Sequence, residues 1–299
     1  MKTDFESAII IDDSDDDDNN DNNNDDDNND DNNDDNNDDV KKSNSSSLNI
    51  ENEIILTKKP RTRKVQEPLK KYLYEDLNKI EIGVDEAGRG PLFGRVYTGA
   101  VILPKDDSFD HFKMKDSKKF TSKTKIKEVA EYIKQNAVAW YVSFEDEKVI
   151  DEINILQATQ SAMHKSILEV RKQYVQKMNS NIEKTKTTTD YSINLLIDGN
   201  YFNPITIINK KTNKLETIPY TCIEGGDNKF TAIAAASILA KVERDKYIEE
   251  LCDEHPELIE HYSINSNKGY GAKKHIDGIK AHGITIWHRR SFGICKNYN

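Results

Sequence analysis

From about residue 70 onward the chain alternates short apolar runs with longer amphipathic stretches. The runs 80–85, 96–103, 137–144, 193–197 and 218–223 are brief and rich in β-branched residues, which predicts strands. The stretches 121–135, 155–177, 229–253 and 272–282 space their apolar residues for a helix. Strands first, then strands alternating with helices, predict an α/β domain. Its central sheet is expected to be mixed and flanked by helices, with a helical C-terminal part. Two polar stretches, about 178–191 and 208–217, read as loop insertions, and no internal repeat is visible. The folded domain is expected over 75–299.

The first 70 residues read differently. Residues 12–39 are all Asp or Asn except Ser14. Such a tract cannot bury enough apolar surface to offset the entropy of ordering, which predicts a disordered acidic tail. It reads either as a low-complexity expansion or as a tail that mimics DNA and masks the domain. Lys58-Lys59-Pro60-Arg61-Thr62-Arg63-Lys64 fits a nuclear localisation signal and equally a plain basic linker.

Charge divides along the same boundary. The formal charge is −10, yet residues 1–40 alone carry −17, leaving +7 on the remainder. A mildly basic body is compatible with nucleic acid. Three separated cysteines, with no Cys-x-x-Cys pair, point to unpaired thiols in a reducing compartment rather than to zinc. No apolar run approaches the ~20 residues of a membrane span, and the N-terminus has acids where a signal peptide has its apolar core. The expectation is an intracellular protein, nuclear or cytoplasmic, without a membrane partner.

The chemistry concentrates at strand ends. The run Ile80, Ile82, Val84 stops at Asp85-Glu86-Ala87-Gly88-Arg89-Gly90-Pro91, and the run 193–197 stops at Asp198-Gly199-Asn200. Asp227 lies in Glu224-Gly225-Gly226-Asp227-Asn228, just before the helical stretch. Carboxylates gathered from several strand ends suit hard divalent cations, and two such ions can activate water against a phosphodiester. Each acid also has a plainer reading. Neighbours on an ideal strand point to opposite faces, so Asp85 and Glu86 share a site only if the chain turns there, which Gly88 and Gly90 permit. Asp198 fits a turn former, and Asp227 or Asn228 a helix N-cap.

The stretch Gly83–Pro91 resembles, nearly residue for residue, the first motif of the type 2 ribonucleases H, the RNases HII. Asp198 within Ile-Asp-Gly-Asn resembles the family's third acid and Asp227 its fourth. Further likenesses are Asp116-Ser117-Lys118-Lys119, Asn154-Ile155-Leu156, Ala234 to Asp245, Lys268-Gly269-Tyr270-Gly271 and Arg289-Arg290-Ser291-Phe292. The resemblance implies a ribonuclease H-like fold and a metal-dependent endonuclease. Its implied substrates are RNA–DNA hybrids and single ribonucleotides in duplex DNA, cut on the 5′ side to leave 5′-phosphate and 3′-hydroxyl ends.

By the same resemblance Asp85, Glu86, Asp198 and Asp227 are catalytic and hold Mg²⁺ or Mn²⁺. Gly88, Arg89 and Gly90 read the ribose 2′-hydroxyl through the backbone, and Tyr270 stacks on the adjoining deoxyribose. Lys118, Lys119, Arg289 and Arg290 are expected to meet phosphates. The chain departs from the family at Gly225, where lysine is common, at Arg95, where proline is usual, and at Phe120, where leucine is usual. Ile-Asp-Gly-Asn resembles the bacterial single-subunit branch, which implies activity as a monomer without accessory subunits. The alternative is a catalytically weak hybrid-binding protein of the same fold.

Overall fold

The apolar runs pair into one five-stranded sheet. The computed structural model describes residues 68–120, 122–185, 191–209 and 213–298; the Asp/Asn tract and the basic cluster 58–64 lie outside the described residues. The strands are β1 (Lys79–Ala87), β2 (Val96–Ile102), β3 (Ala139–Glu145), β4 (Ser192–Asp198), β5 (Thr206–Asn209), β6 (Lys214–Thr217) and β7 (Tyr220–Ile223). The sheet order is β3-β2-β1-β4-β7, while β5 and β6 form a separate hairpin. β1 pairs antiparallel with β2 and parallel with β4, so the sheet is mixed as expected.

Strand alternation sorts the two faces. Ile82, Val84, Leu195 and Ile197 are fully buried among Met163, Ile167 and Val170 of α2 (Glu147–Thr185). Burying each such side chain contributes roughly 1.5–3 kcal/mol. The opposite face carries α1 (Lys123–Asn136) and α3 (Thr231–Glu254). There the sheet presents glycine: a Cβ on Gly83 would fall 2.2 Å from the Ala232 carbonyl carbon, and one on Gly99 would fall 2.4 Å from the Ala236 oxygen. The alanine-rich start of α3 therefore lies directly on the strand backbones. Any side chain at Gly83 would push helix and sheet apart.

Three expectations need correction. The helix expected at 155–177 belongs to a longer element that starts at Glu147 and reaches Thr185, so much of the expected loop 178–191 is helical. Asn154 breaks it at φ 66°, and its Oδ1 accepts from Gln157 N at 3.0 Å, capping the longer segment. The expected loop 208–217 includes most of the β5–β6 hairpin. Beyond α3, the C-terminal part holds α4 (Glu257–Tyr262), α5 (Ile264–Asn267) and α6 (Lys273–His282) around Phe93, Ile248, Leu258 and Ile279. Among the described residues no helix is long and apolar enough to cross a membrane.

Candidate active site

Parallel pairing of β1 with β4 sets Val84 opposite Ile197, so Asp198, the last residue of β4, lies beside Asp85, two residues before β1 ends. Both project on the face that α3 covers. Asp85 is only 4% exposed. Its carboxyl accepts from Glu86 N at 2.7 Å and from the Ser237 hydroxyl, and Ser237 in turn lies 3.0 Å from the Ser117 hydroxyl. Burial pushes Asp85 well above the usual carboxylate range, and the charges of Glu86 and Asp198 push the same way. Glu86 is also raised, first by burial. Arg89, 3.4 Å away, opposes that shift, and Asp198 reinforces it.

These mutual effects place Asp85, Glu86 and Asp198 within electrostatic reach of one another. β1 stays extended through both acids, Glu86 pairing with Thr98 and Ala87 with Tyr97, and the chain turns at Gly88, one of the two glycines expected to permit it, at φ +92°. The three acids thus lie near the ends of β1 and β4, close enough to act on one another's charge.

Asp227 sits in a 3-10 turn, Gly226–Asn228, and does not cap α3, which starts at Thr231 behind Phe230. The turn is tied to β4 because Gly226 N donates to Asp198 Oδ1 at 2.6 Å. Asp227 is raised by burial and by the charges of Asp116 and Asp198, while Lys118 lowers it. Asp116 was not singled out from the sequence as a site residue, yet it joins two parts of the site. Its Oδ1 accepts from Lys118 N at 2.8 Å and its Oδ2 from Asn228 Nδ2 at 3.2 Å. Lys119 Nζ donates to Asn228 Oδ1. Both lysines are exposed beside the acids, where a phosphate could meet them.

Among the described residues no three His, Cys, Asp or Glu side chains stand at the spacing of a formed metal site. The donor set nevertheless fits a hard cation. It offers carboxylate oxygens only, with Asp85 buried beside two like charges and Arg89 the counter-charge that bears on Glu86. Gly225, where a lysine is common in the resembled family, adopts φ +60°, and open space surrounds the direction of its missing Cβ. Lys229 Nζ donates to the neighbouring Glu224 carbonyl at 2.6 Å.

The loop after the acids is gripped from behind. A Cβ on Gly88 would lie 2.2 Å from Arg244 Nε, and one on Gly90 would face Tyr270 Cε1 at 3.6 Å. Tyr270, 50% exposed, therefore stands against the Gly88-Arg89-Gly90 turn. Leu92 N donates to the Gly269 carbonyl at 2.9 Å, joining the two segments. Arg95 is held between the rings of Phe144 and Tyr247, at 4.1 and 4.3 Å from their centroids, and Phe120 packs partly buried on the α1–α3 core. Both substitutions are accommodated.

Arg289 corrects an expectation. It is fully buried and meets no solvent where a phosphate could lie. Its guanidinium donates to the carbonyls of Gly88 at 2.6 Å, Arg89 at 2.8 Å, Pro91 at 2.9 Å and Gly94 at 2.8 Å. Burial and the Arg244 charge push it down to about 9, which leaves it cationic at neutral pH. Arg290 remains an exposed surface cation. Nothing in the Arg-Arg doublet distinguishes the two; only the apolar and aromatic neighbours Trp287 and Phe292 hint that one is interior.

A family model described as Ribonuclease HII matches residues 82–295. A Ribonuclease HII of Bacteroides thetaiotaomicron is 43% identical over 225 residues, 75% of this chain and 93% of that protein. Another, of Oceanobacillus iheyensis, is 38% identical over 228 residues, 76% of this chain and 74% of that one. Among solved structures, ribonuclease H2 from Pyrococcus horikoshii OT3 superposes with a TM-score of 0.49 at 21% identity, over 73% of this chain and 96% of that chain.

Proposed function

The chain belongs to the ribonuclease HII family and is a ribonuclease H of type 2, and we propose that it cuts RNA within DNA by metal-dependent hydrolysis. Its substrates are the RNA strand of RNA–DNA hybrids and single ribonucleotides in duplex DNA, cleaved on the 5′ side. The products are 5′-phosphate and 3′-hydroxyl ends, as needed to begin ribonucleotide excision or to remove primers. Asp85, Glu86 and Asp198, completed by Asp227, would hold two Mg²⁺ or Mn²⁺ ions. When bound, such ions supply an activated water and neutralise the leaving oxygen.

The chain's own groups prepare the rest. Ser237 and the Glu86 amide fix the Asp85 carboxyl, and the Gly226 amide fixes Asp198. The loop Gly88–Gly90 brings bare backbone against the sugar. A 2′-hydroxyl both donates and accepts, so a backbone carrying both group types can distinguish it from hydrogen. Tyr270 lies beside Gly90, where its ring can stack on the next sugar. Lys118 and Lys119 offer phosphate contacts without reading sequence. The catalytic domain is taken as 75–299, acting without accessory chains in nucleus or cytoplasm, with residues 1–70 outside it.

The observation that most supports this reading is the convergence of three acids beside the Gly88–Gly90 turn and Tyr270. The test is cleavage of a DNA duplex carrying one ribonucleotide, with Mg²⁺ or Mn²⁺, against an all-DNA duplex and Asp85→Asn protein. A cut 5′ of the ribonucleotide, absent from both controls, is the expected result. Binding of the duplex with no cut under either ion would favour a hybrid-binding protein, with Gly225 as the first suspect.

A further inference from the structure

We propose that His275 and His288 are positioning residues for Tyr270, acting through a hydrogen-bond chain whose proton order is fixed at both ends. The proposal rests on the role given to Tyr270 above. Both rings are buried in the C-terminal part, edge-on to Phe93 and Tyr262. At one end Thr285 N, which can only donate, lies 2.9 Å from His288 Nδ1. That nitrogen is therefore an acceptor, and a neutral His288 carries its proton on Nε2. His288 Nε2 lies 3.0 Å from His275 Nε2 and donates to it. His275 must then carry its own proton on Nδ1, which lies 2.8 Å from the Tyr270 carbonyl, a group that can only accept. No other arrangement of two neutral rings gives every donor an acceptor.

The chain ends where the loop needs it. Lys268 at φ 52° and Gly269 at φ 85° are successive left-handed residues just before Tyr270. Three consecutive carbonyls hold that turn: Lys268 O accepts from Arg244 Nη2 at 2.8 Å, Gly269 O from Leu92 N at 2.9 Å, and Tyr270 O from both His275 and Ala272 N at 2.8 Å. The tyrosine backbone is anchored inward while its ring projects beside Gly90. A second proton on His275 would set N–H against N–H, and one on His288 would face the Thr285 N–H. Burial keeps both rings below the usual histidine range, so the chain stays neutral and ordered at working pH.

The test is a double-mutant cycle on a duplex with one ribonucleotide, read as cleavage KM and kcat and as Kd of the uncut duplex by fluorescence anisotropy. His275→Leu removes the side-chain donor to the Tyr270 carbonyl and leaves it Ala272 N alone, at 2.8 Å, whereas His275→Asn keeps a donor where Nδ1 stands. His275→Leu is expected to raise KM and Kd about tenfold, or ~1.4 kcal/mol, with kcat within about threefold. His275→Asn should recover most of that loss. Added to Tyr270→Ala, His275→Leu should change nothing further. Losses that multiply in the double variant, or a His275→Leu protein that binds as wild type while Tyr270→Ala does not, overturn the proposal.

Ring ¹⁵N shifts of the wild-type protein give a second reading that needs neither variant folding nor activity. Protons on His275 Nδ1 and His288 Nε2 are expected, and the opposite tautomers refute the chain. If wild-type protein binds the duplex but never cuts, the reading of the acids fails, while the Kd cycle still decides the positioning role.

Discussion

Arg289→Lys separates a residue that builds the substrate loop from one that touches substrate. The guanidinium uses four of its five N–H groups on carbonyls between Gly88 and Gly94, at 2.6–2.9 Å. Lysine keeps the charge but offers three donors from one point, so it cannot reproduce a fork that spans four acceptors. One or two buried carbonyls are left unpaired, and each such charge-assisted bond is worth about 1.5–3 kcal/mol. A net loss of about 3 kcal/mol follows, a large share of the 5–15 kcal/mol typical of a folded domain. Urea unfolding should show the midpoint falling by roughly 1 M at an m-value of about 3 kcal/mol/M. Because the loosened loop is the one proposed to read the ribose, kcat/KM on the one-ribonucleotide duplex should fall at least about tenfold. A phosphate contact would behave otherwise: stability unchanged, and a shallower dependence of binding on salt. Stability within about 0.5 kcal/mol of wild type together with such a salt change would refute the loop-building role.

Three further outcomes follow from the acids and the glycine turn. Asp85, Glu86 and Asp227 all have raised proton affinities in the fold, so the native state binds more protons than the unfolded chain just above pH 4. Without cation their contribution to stability therefore falls as pH rises through the raised values, and bound cation should restore it. Thermal melts with saturating Mg²⁺ should rise by roughly 5–10 °C at pH 8 and much less at pH 5, and equal shifts would sink the argument. Asp85→Asn should be inactive, more stable than wild type without cation by about 1 kcal/mol, and insensitive to Mg²⁺ in the same melts. Gly88→Ala forces a Cβ to φ +92° and to 2.2 Å from Arg244 Nε. It should cost about 2–4 kcal/mol and most of the activity while the Mg²⁺-induced shift survives, and near-normal cleavage would show that the turn relaxes freely.

What the sequence made legible was what short-range pattern encodes. Short apolar runs located β1, β2, β3 and β4 and a long apolar stretch located α3, because strands covered on both faces, such as β1 and β2, and a helix start buried all round are apolar along their length. Asp85, Glu86 and Asp198 were legible because they close apolar runs, while Asp227 stands apart in the turn before α3. α2 was misread at both ends: Glu147–Ile153 is one short helical segment before the Asn154 break, and the polar residues past 177 continue the helix without an apolar stripe to announce it. The β5–β6 hairpin escaped because four-residue strands carry too few alternations to register.

The rest of the site was hidden because it is made by contacts across the chain. Arg289 reaches a carbonyl 201 residues away, and Ser117 meets Ser237 across 120. In sequence each is an ordinary polar residue. Only burial turns Arg289 from a surface cation into the clamp of the Gly88 loop, and only the meeting of two turns turns Asp116 from a cap into a link between the lysines and Asp227. Glu86 makes the same point from the opposite direction. Alternation along β1 would send it to the face opposite Asp85, yet the Asp198 charge still bears on it, one residue before β1 ends. Residues that perform chemistry at a strand end are thus marked by local pattern. Those that hold them in place are marked only by what they bury against, which is why Arg289, Arg244 and the His275–His288 pair are the positions where substitution tests the site most sharply.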